Sequence, residues 1–318
     1  MRAPAGGRGG GAVSADLFTV TDAPGYPLAD ALAGAAGVAR REYERFTFAN
    51  GNVLVRMPEP SPGARRVLVA AFSPARPAEL LVETALVVDA ARRAYDAPVH
   101  CLLPYLPYSR GNRVEEPRAS FGARVFAALL DAVGADRIHL ADLHSPELLG
   151  FFRTPVRHRS ALPRLVDALA GRGVAPDWVV APDCGRYPAC RALAEALGAR
   201  ADFFVKWRHG HGGGSTLDEA PRPHLRGASV LLFDDEIGTG DTLVNAARAA
   251  ARAGAAEIHA AVVFSFAAPE VLRRLAEVPA LRSFTTTNLA LPLPAAERAA
   301  LGLDYRVVDC AGVLLEDG

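Results

Sequence analysis

The densest group of chemically capable side chains lies in SVLLFDDEIGTGDTL, residues 229–243, where an apolar run ends in the adjacent carboxylates Asp234 and Asp235. A turn of small residues then leads into an alanine-rich helix, and free backbone N–H groups at such a helix start form a phosphate site. The carboxylates are acceptors for sugar hydroxyls or for a metal-bound diphosphate. The segment therefore predicts a site for a phosphorylated sugar. Its phosphate turn would contain Thr239, Gly240, Asp241 and Thr242.

Polar residues also close other apolar runs of the chain. One run ends in Asp142 and His144, and another ends in Asp183. In an open parallel sheet, ligands bind where the strands end at their carboxyl edges, so we expect these residues near the Asp-Asp pair. Each group also has a simpler interpretation. Acidic residues can merely end a strand, TGDT can merely cap a helix, and a strand-end histidine can merely satisfy a hydrogen bond.

Short apolar runs alternate with longer alanine-rich stretches of helical periodicity through most of the chain. The order strand, helix, strand predicts parallel sheets covered by helices on both faces, which is an α/β fold. The pattern restarts near residues 150–160 and so predicts two successive units. The predicted strands are residues 67–72, 99–106, 136–144, 178–183, 201–207 and 258–266, the predicted helices are residues 79–95, 118–134, 161–173 and 186–198, and residues 229–254 form a strand, a turn and a helix.

The composition excludes several classes of protein. The chain has 318 residues, of which 35 are basic and 35 acidic, so a zero net charge gives no support for nucleic-acid binding. The sequence has no run of eighteen apolar residues and no signal-peptide core, so we expect no membrane association or secretion. The four cysteines lack metal-type spacing and are expected to be reduced thiols of a cytoplasmic protein. Residues 1–13 are glycine-rich and predict a disordered tail.

Lys206 is the only lysine of the chain, because the other 34 basic residues are arginines. It closes the predicted strand 201–207 and precedes a glycine-rich loop that is suited to a lid over phosphates. A compact ammonium group on a flexible stem can follow a moving phosphoryl group, whereas a guanidinium group favours fixed bidentate contacts. Lys206 is therefore a candidate catalytic residue, although chance can leave a single lysine anywhere.

The block of strand, Asp-Asp pair, TGDT turn and helix resembles the phosphoribosyl-diphosphate (PRPP) binding motif of type I phosphoribosyltransferases and PRPP synthetases. Other segments resemble those of PRPP synthetases, so that the likeness spans about residues 44–315, whereas an ordinary phosphoribosyltransferase would account for the second half only. These segments are FTFANGNVLV (46–55), PYLPYSRGNR (104–113), DLHSPELLGFFRTPV (142–156), VVAPDCG (179–185) and TTTNLALP (285–292).

The resemblance implies two tandem phosphoribosyltransferase-like, or Rossmann-like, domains with parallel sheets flanked by helices. After the tail, it implies an N-terminal domain at 14–155, a C-terminal type I phosphoribosyltransferase domain at 156–290, and a segment 291–318 that packs back on the N-terminal domain. It also implies transfer of a diphosphate from ATP, or from another nucleoside triphosphate, to ribose 5-phosphate. The implied cofactor is Mg²⁺, and the implied assembly is a homo-oligomer, either a dimer or a hexamer.

The resemblance also assigns roles to matching positions. The ribose 5-phosphate or PRPP site would comprise Asp234, Asp235, Gly238, Thr239, Gly240, Asp241 and Thr242. The nucleotide site would comprise Phe48, Asn50, Asn52, Arg110 and Arg113. His144 and Asp183 would bind metal, and the catalytic residues would be Lys206, Arg208 and His144. Cations are required there because negative charge builds on the transferred group in a loose transition state.

The departures from the family pattern concentrate on the nucleotide side. Where the family has aspartate and glutamate in FxDGE, this chain has Asn50 and Asn52. Where the family's nucleotide loop reads Arg-Gln-Asp, Gly111 and Asn112 follow Arg110. These changes remove groups that could bind a nucleotide or a metal. The ribose-phosphate half is therefore kept, while the adenine half is altered.

Two departures also lie in the PRPP motif itself. An acidic residue of the family is replaced by Gly238, which removes an acceptor for a ribose hydroxyl or Mg²⁺, and a glycine is replaced by Asp241, which adds negative charge near the phosphate turn. Glu236, two residues before Gly238, could compensate for the lost carboxylate. Three functions remain open: a ribose-phosphate diphosphokinase with ATP or an unusual donor, an enzyme that consumes PRPP or releases pyrophosphate from it, and a non-catalytic regulatory homologue.

Overall fold

The computed structural model describes residues 14–23, 26–73, 76–112, 117–208, 215–217 and 221–316, and for 206–208 and 215–217 it describes the backbone course. The described chain divides into two compact units. The first unit comprises residues 14–139, Ser145–Arg157 and residues 315–316, and the second comprises Leu140–His144 and His158–Leu314. Of the described helices, none is long and apolar enough to cross a membrane.

The first sheet has five strands, and a separate hairpin precedes its second strand. The elements in chain order are Ala15–Val20 (β1), Pro27–Ala36 (α1), Glu44–Thr47 (β2), Val53–Arg56 (β3), Arg66–Ala71 (β4), Pro77–Ala94 (α2), Val99–Leu103 (β5), Gly122–Val133 (α3), Arg137–Ala141 (β6) and Val156–Arg159 (β7). The strand order is β1-β4-β5-β6-β7, and β4 pairs in parallel with both β1 and β5.

The inner strands β4 and β5 consist of continuous apolar runs because helices cover both faces of a parallel sheet. Residues 67–71 and 99–103 are all buried. The helix α2 contacts both strands. It begins with Pro77, whose fixed φ suits the first helical position, and ends with Arg92 and Arg93, whose charges favour the negative helix end.

The segment 46–55, whose resemblance to PRPP synthetases implies a strand of the nucleotide site, is instead a hairpin. The strands β2 and β3 pair antiparallel, with Thr47 opposite Val53. Phe48 donates its N–H to the Asn52 carbonyl at 2.8 Å, and Gly51 closes the turn with φ of +84°, a conformation that glycine adopts without strain. The prediction missed the reversal because Asn-Gly is a turn signal that lies inside an apolar run.

A buried carboxylate ties β1 to the rest of the first unit. Asp16 is 2% exposed, and its Oδ2 accepts hydrogen bonds from Arg41, from the Tyr95 hydroxyl at 2.8 Å and from the Ser61 N–H at 3.0 Å. Burial alone would raise the pKa of Asp16, but the hydrogen bonds from Ser61, Tyr95 and Arg41 hold that pKa below its ordinary value. The carboxylate is therefore stabilised in its charged form.

Replacing Asp16 with asparagine should lower the free energy of unfolding by about 2–4 kcal/mol at neutral pH, because Arg41 loses its buried partner. The pKa of Asp16 is lower in the folded than in the unfolded state. Its contribution is therefore present above roughly pH 4, the ordinary aspartate value, and is lost as the pH falls toward the folded-state pKa. Urea unfolding followed by circular dichroism should show the difference between the two proteins shrinking on acidification.

The matched control is Asp89→Asn, since Asp89 pairs with Arg93 on the surface of α2 and its side chain is 52% exposed. Its removal should leave the free energy of unfolding nearly unchanged, because exposed ion pairs are screened by solvent. An Asp16→Asn protein that unfolds at the same urea concentration as the wild type would contradict the role of the cluster.

The second sheet has six strands. The elements in chain order are Leu162–Ala170 (α4), Trp178–Ala181 (β8), Tyr187–Leu197 (α5), Arg200–Phe203 (β9), Lys206–Arg208 (β10), Ser215–Leu217 (β11), Ser229–Ile237 (β12), Asp241–Arg252 (α6), Glu257–Ser265 (β13), Pro269–Ala276 (α7), Leu281–Thr287 (β14), Ala295–Ala299 (α8) and Asp304–Val308 (β15). The strand order is β15-β14-β13-β12-β8-β9, and every neighbouring pair is parallel. The predicted α/β architecture with parallel sheets and flanking helices is confirmed.

The strand order of the second sheet reverses between β8 and β12. The chain passes from β8 outward to β9 on one side, then returns to place β12 on the other side of β8 and continues outward to β13. The connections on the two sides of this point diverge, which leaves a crevice at the carboxyl ends of β8 and β12. Ligands of open parallel sheets bind at such a point.

The predicted strand 201–207 is divided into two strands of different sheets. Arg200–Phe203 pairs with β8, whereas Lys206–Arg208 pairs antiparallel with β11 in a separate two-stranded sheet. Between them Phe204 is buried and Val205 is exposed. The strand is interrupted because Phe204 is buried in the core where the chain leaves the six-stranded sheet. Lys206 therefore begins a hairpin and does not end a strand of that sheet.

Most of residues 291–318, which are predicted to pack on the N-terminal domain, belong to the second unit. The strand β15 is the edge strand of the second sheet, and the second unit extends to Leu314. The segment 285–292 also stays there, since the Thr287 hydroxyl donates to the Val263 carbonyl at 2.7 Å and Asn288 Oδ1 accepts the Cys310 N–H at 2.8 Å. The first bond joins β14 to β13, and the second joins the C-terminal segment to the residue that follows β14.

The first boundary also differs from the predicted 14–155, because Leu140–His144 belong to the second unit while Ser145–Arg157 belong to the first. A division that interrupts a continuous segment cannot be read from composition, which changes little across residues 140–158.

Candidate functional site

The predicted phosphate turn lies at the start of α6, as the sequence indicates. The helix begins at Asp241 behind Gly240, whose φ of +77° and ψ of −7° are left-handed. The first N–H groups of a helix have no acceptor within the helix, and the helix dipole is positive at that end. The turn therefore begins a helix in the way that a phosphate site requires, and phosphate binding by Thr239, Gly240, Asp241 and Thr242 stays a prediction.

Gly240 is required by space as well as by conformation. A Cβ atom at this position would lie 2.1 Å from Cγ1 of Val271 on α7 and 3.7 Å from Cδ1 of Ile237. By contrast, a Cβ atom at Gly238 would meet no atom within 4 Å. The turn therefore packs closely against α7 at Gly240, whereas at Gly238 it faces open space.

The unusual Asp241 has a partner on the neighbouring helix. Its Oδ1 accepts a hydrogen bond from Arg274 of α7 at 2.8 Å. A carboxylate in the first turn of a helix also interacts favourably with the helix dipole. The added negative charge is therefore partly balanced, and the departure from the family pattern has a structural explanation.

The two carboxylates at the end of β12 differ in their environments. Burial raises the pKa of Asp234 well above its ordinary value, and the nearby Asp235 and Asp183 act in the same direction. Burial also opposes ionisation of Asp235, but a hydrogen bond with His144 and the charge of Arg186 lower its pKa to about 2. Asp235 therefore ionises before Asp234 as the pH rises.

His144, Asp235 and Arg186 form one connected group in the second unit. Nδ1 of His144 lies 2.8 Å from Oδ2 of Asp235, and since an ionised carboxylate can only accept, this nitrogen carries the proton. The guanidinium group of Arg186 lies 3.2 Å from the same Oδ2 and donates to the His144 carbonyl at 2.8 Å. The side chains of Asp235 and Arg186 are each 15% exposed.

Hydrogen bonds with Ser160 and His158 fix the turn that carries His144. Asp142 has φ of +30°, which is uncommon outside glycine, and its Oδ1 accepts the Ser160 hydroxyl at 2.8 Å. The N–H of Leu143 donates to Nε2 of His158 at 3.1 Å. Burial raises the pKa of Asp142 and lowers that of His158, which favours a neutral imidazole as acceptor. Asp142 thus serves to position His144.

The two residues that are predicted to bind metal, His144 and Asp183, each have a hydrogen-bond partner in the second unit. Asp183 follows β8, and its Oδ1 accepts the Gly185 N–H at 3.0 Å, so it caps its own turn. Nδ1 of His144 is committed to Asp235, and Arg186 brings a positive charge to the same place. Among the described residues, no three His, Cys, Asp or Glu side chains are arranged to hold a metal ion. Asp235, which already contacts a permanent cation, therefore does not fit a resident Mg²⁺, while the metal-binding roles of His144 and Asp183 stay predictions.

The backbone of Lys206 and Arg208 lies in β10, where Lys206 is opposite Leu217 of β11. Cα atoms of β11 lie within 8 Å of Cα atoms of α6, the helix that begins at the phosphate turn. Both strands belong to the second unit. The hairpin that carries the lysine is thus beside the helix of the candidate phosphate site, while the roles of both residues stay predictions.

The predicted nucleotide residues belong to the first unit. Phe48 is 46% exposed and packs edge-on against Phe46, with ring centroids 4.8 Å apart. Asn50 Oδ1 accepts the Asn52 N–H at 3.1 Å, so this amide closes the hairpin turn. Arg110 is exposed in the turns that follow β5, and Arg113 lies outside the described residues. The nucleotide-binding roles of these residues stay predictions.

Arg186 is the residue of this group that sequence reasoning missed. It follows the strand-end Asp183 by three residues, but a chain with 34 arginines gives no reason to select one of them. Its importance depends on contacts with His144 and Asp235, which lie 42 and 49 positions away along the chain. The only available signal was its position in the loop at the carboxyl end of β8.

Two family models match the chain in succession: the N-terminal domain of ribose phosphate pyrophosphokinase at residues 17–134, and the phosphoribosyl transferase domain at residues 165–279. A ribose-phosphate pyrophosphokinase of Chlorobaculum tepidum is 32% identical over 249 residues, which cover 78% of this chain and 76% of the relative. One of Caldanaerobacter subterraneus is 31% identical over 280 residues, which cover 88% of this chain and 87% of the relative.

The crystal structure of phosphoribosylpyrophosphate synthetase from Mycobacterium smegmatis is similar over 95% of this chain and 96% of its own, with a TM-score of 0.80 and 30% sequence identity. The likeness therefore includes both domains in the same order and agrees with the phosphate turn and strand-end carboxylates described above. The chain belongs to the ribose-phosphate pyrophosphokinase family.

Proposed function

We propose that this protein transfers the diphosphate group of a nucleoside triphosphate to the anomeric hydroxyl of ribose 5-phosphate, producing PRPP and a nucleoside monophosphate. The observation that carries the proposal is the edge of β12 and α6, where a phosphate turn follows two carboxylates of opposite protonation preference. The chain matches family models in both domains, which supports diphosphate transfer rather than a function that needs only the phosphate turn.

The ribose 5-phosphate would bind with its phosphate at the α6 turn, where the N–H groups and the helix dipole offset the phosphate charge. The sugar hydroxyls would face Asp234 and Asp235, of which Asp235 ionises more readily and is the stronger hydrogen-bond acceptor. Gly238 leaves open space between the carboxylates and the turn. This arrangement would position the anomeric oxygen before the reaction, and orientation of that kind supplies a large part of phosphoryl-transfer catalysis.

In the transfer, the anomeric oxygen attacks the β-phosphorus, the bond from that phosphorus to the oxygen shared with the α-phosphate breaks, and the hydroxyl proton is released. Negative charge develops on the transferred group and on the departing nucleoside monophosphate. We assign Lys206 and Arg208 to stabilise this charge from the hairpin beside α6. Mg²⁺ would arrive as the complex of the donor nucleotide and would screen the phosphates.

The donor would bind to Phe48 and the arginines Arg110 and Arg113 of the first unit. An exposed aromatic ring can stack on a base, but Asn50 uses its amide to close the hairpin. The acidic groups that the family pattern has in this hairpin are absent from the sequence, so we propose either ATP or another nucleoside triphosphate as the donor. A homo-oligomer, a dimer or a hexamer, is the assembly we propose by the same likeness.

The direct test is an incubation of the purified full chain with ribose 5-phosphate, Mg²⁺ and each of several nucleoside triphosphates. We expect PRPP and the matching nucleoside monophosphate in equal amounts, detected by phosphorus NMR. No product with any donor would refute diphosphate transfer. Release of pyrophosphate from added PRPP would then favour a PRPP-consuming enzyme, and calorimetric binding of ribose 5-phosphate without turnover would favour a regulatory homologue.

A further inference from the structure

The contacts of Arg186 occupy the atoms that a metal ion would need at this edge of the second sheet. Its guanidinium group is 3.2 Å from Oδ2 of Asp235, which also accepts from Nδ1 of His144. The other oxygen of Asp235, Oδ1, accepts the Glu236 N–H at 3.0 Å. Both carboxylate oxygens are therefore engaged with donors, and one of those donors is a permanent cation.

One oxygen of each of the two neighbouring carboxylates also has a donor. Oδ1 of Asp234 accepts the Asp235 N–H at 2.9 Å, and Oδ1 of Asp183 accepts the Gly185 N–H at 3.0 Å. Arg186 is also fixed by its hydrogen bond to the His144 carbonyl, so its cation cannot leave Asp235 without breaking that contact. A divalent ion that bound to Asp235 would have to displace Arg186 from Oδ2. The positive charge of Arg186 would still lie close to the ion and repel it.

We propose that Arg186 is a built-in counter-cation that takes the place of a divalent metal ion at His144 and Asp235. The free protein then binds no divalent ion at Asp235, and Mg²⁺ enters the reaction with the nucleotide. Of these two statements, only the second, that Mg²⁺ enters with the nucleotide, rests on the proposed function. The first concerns the free protein and holds whatever reaction the protein catalyses.

Two properties of arginine suit it to this place. Its guanidinium group stays charged at every pH at which the protein is folded, and its planar fork can contact a carboxylate and a carbonyl at once. A held cation balances the charge of Asp235 without depending on the concentration of free metal. Unlike a metal ion, it offers no open coordination position to a sugar hydroxyl, so the ribose is held by hydrogen bonds.

The test uses Mn²⁺ alone as the probe, added to the full chain without nucleotide or sugar and followed by electron paramagnetic resonance. Wild-type protein should bind Mn²⁺ no more tightly than Asp235→Asn does. Arg186→Gln should gain one site, with affinity raised at least about tenfold because a positive charge next to Asp235 is gone. The double variant Arg186→Gln with Asp235→Asn should lose that site again.

Two further variants test whether the new Mn²⁺ site arises from the loss of the positive charge or from a general change in the structure. Arg186→Lys keeps the positive charge and should bind Mn²⁺ like the wild type. Arg191→Gln removes an exposed arginine from α5, the helix that follows Arg186, and should also behave like the wild type. Circular dichroism checks that each protein is folded. If Arg186→Gln does not fold, Arg186→Lys still decides, because a new Mn²⁺ site in this protein would refute the role of the charge.

A wild-type Mn²⁺ site that disappears in Asp235→Asn would overturn the proposal, and so would an Arg186→Gln protein that gains no site. In turnover assays, Mg²⁺ in excess of the nucleotide should not raise the wild-type rate, whereas Arg186→Gln should require it. If the protein forms no PRPP but the Mn²⁺ results are as expected, the proposed function fails while the assignment of Arg186 stands.

Discussion

Lys206→Arg should lower kcat for diphosphate transfer at least about hundredfold, the size found when one well-placed electrostatic group is removed from an active site. The positive charge is kept, so the loss would come from geometry. An ammonium group can rotate and follow the phosphoryl group between donor and acceptor, whereas the broad guanidinium group favours a fixed bidentate contact. A chain whose other 34 basic residues are arginines offers an unusually clean test of this difference.

The structure sharpens this prediction. Lys206 begins the hairpin β10–β11, and that hairpin lies beside α6, so the substitution can affect the reaction without disturbing either large sheet. Steady-state kinetics should show a reduced kcat with little change in KM. Calorimetry should show unchanged binding of ribose 5-phosphate, and thermal unfolding should be that of the wild type.

The matched control is Arg248→Lys, the reverse exchange at an exposed position of α6. It should leave kcat, KM and thermal unfolding unchanged. A Lys206→Arg protein that retains full kcat would remove Lys206 from the catalytic machinery and would weaken the whole proposal of diphosphate transfer, because no other lysine is present to replace it.

Gly240→Ala should damage both stability and binding. Alanine is strained at φ of +77°, and its Cβ atom would lie 2.1 Å from Cγ1 of Val271, so the turn must shift or the valine must move. We expect the free energy of unfolding to fall by about 2–4 kcal/mol. We also expect KM for ribose 5-phosphate to rise roughly tenfold or more, since displacing one charge-assisted hydrogen bond costs about that much.

Gly238→Ala, two residues earlier, is the internal control because a Cβ atom there meets nothing within 4 Å. Its free energy of unfolding should stay close to that of the wild type. The double variant Gly240→Ala with Val271→Ala removes the clash but keeps the strained φ, so it should recover only part of the lost stability. Urea unfolding and titration with ribose 5-phosphate measure both effects. Equal behaviour of Gly238→Ala and Gly240→Ala would refute this account of the turn.

Much of the fold could be predicted because its signals are local. Continuous apolar runs such as 99–103 can be recognised as strands buried on both faces, and alanine-rich periodic stretches such as 122–133 as the helices that cover them. The phosphate turn was predicted for the same reason, since glycine and threonine before a helix specify their conformation over a few residues. The errors at 46–55 and 201–207 arose where a turn interrupts an apolar pattern without changing its composition.

The sequence by itself determined the family, the order of the two α/β units, the phosphate turn at Gly240 and the single lysine. These depend on residue types and short spacings. Only the tertiary structure decided that β8 and β12 are neighbours, that Asp235 binds His144 from 91 positions away, and that Arg186 contacts both Asp235 and His144. Charge balance depends on distances in space, and a chain with many arginines does not reveal which of them will be brought to a buried carboxylate.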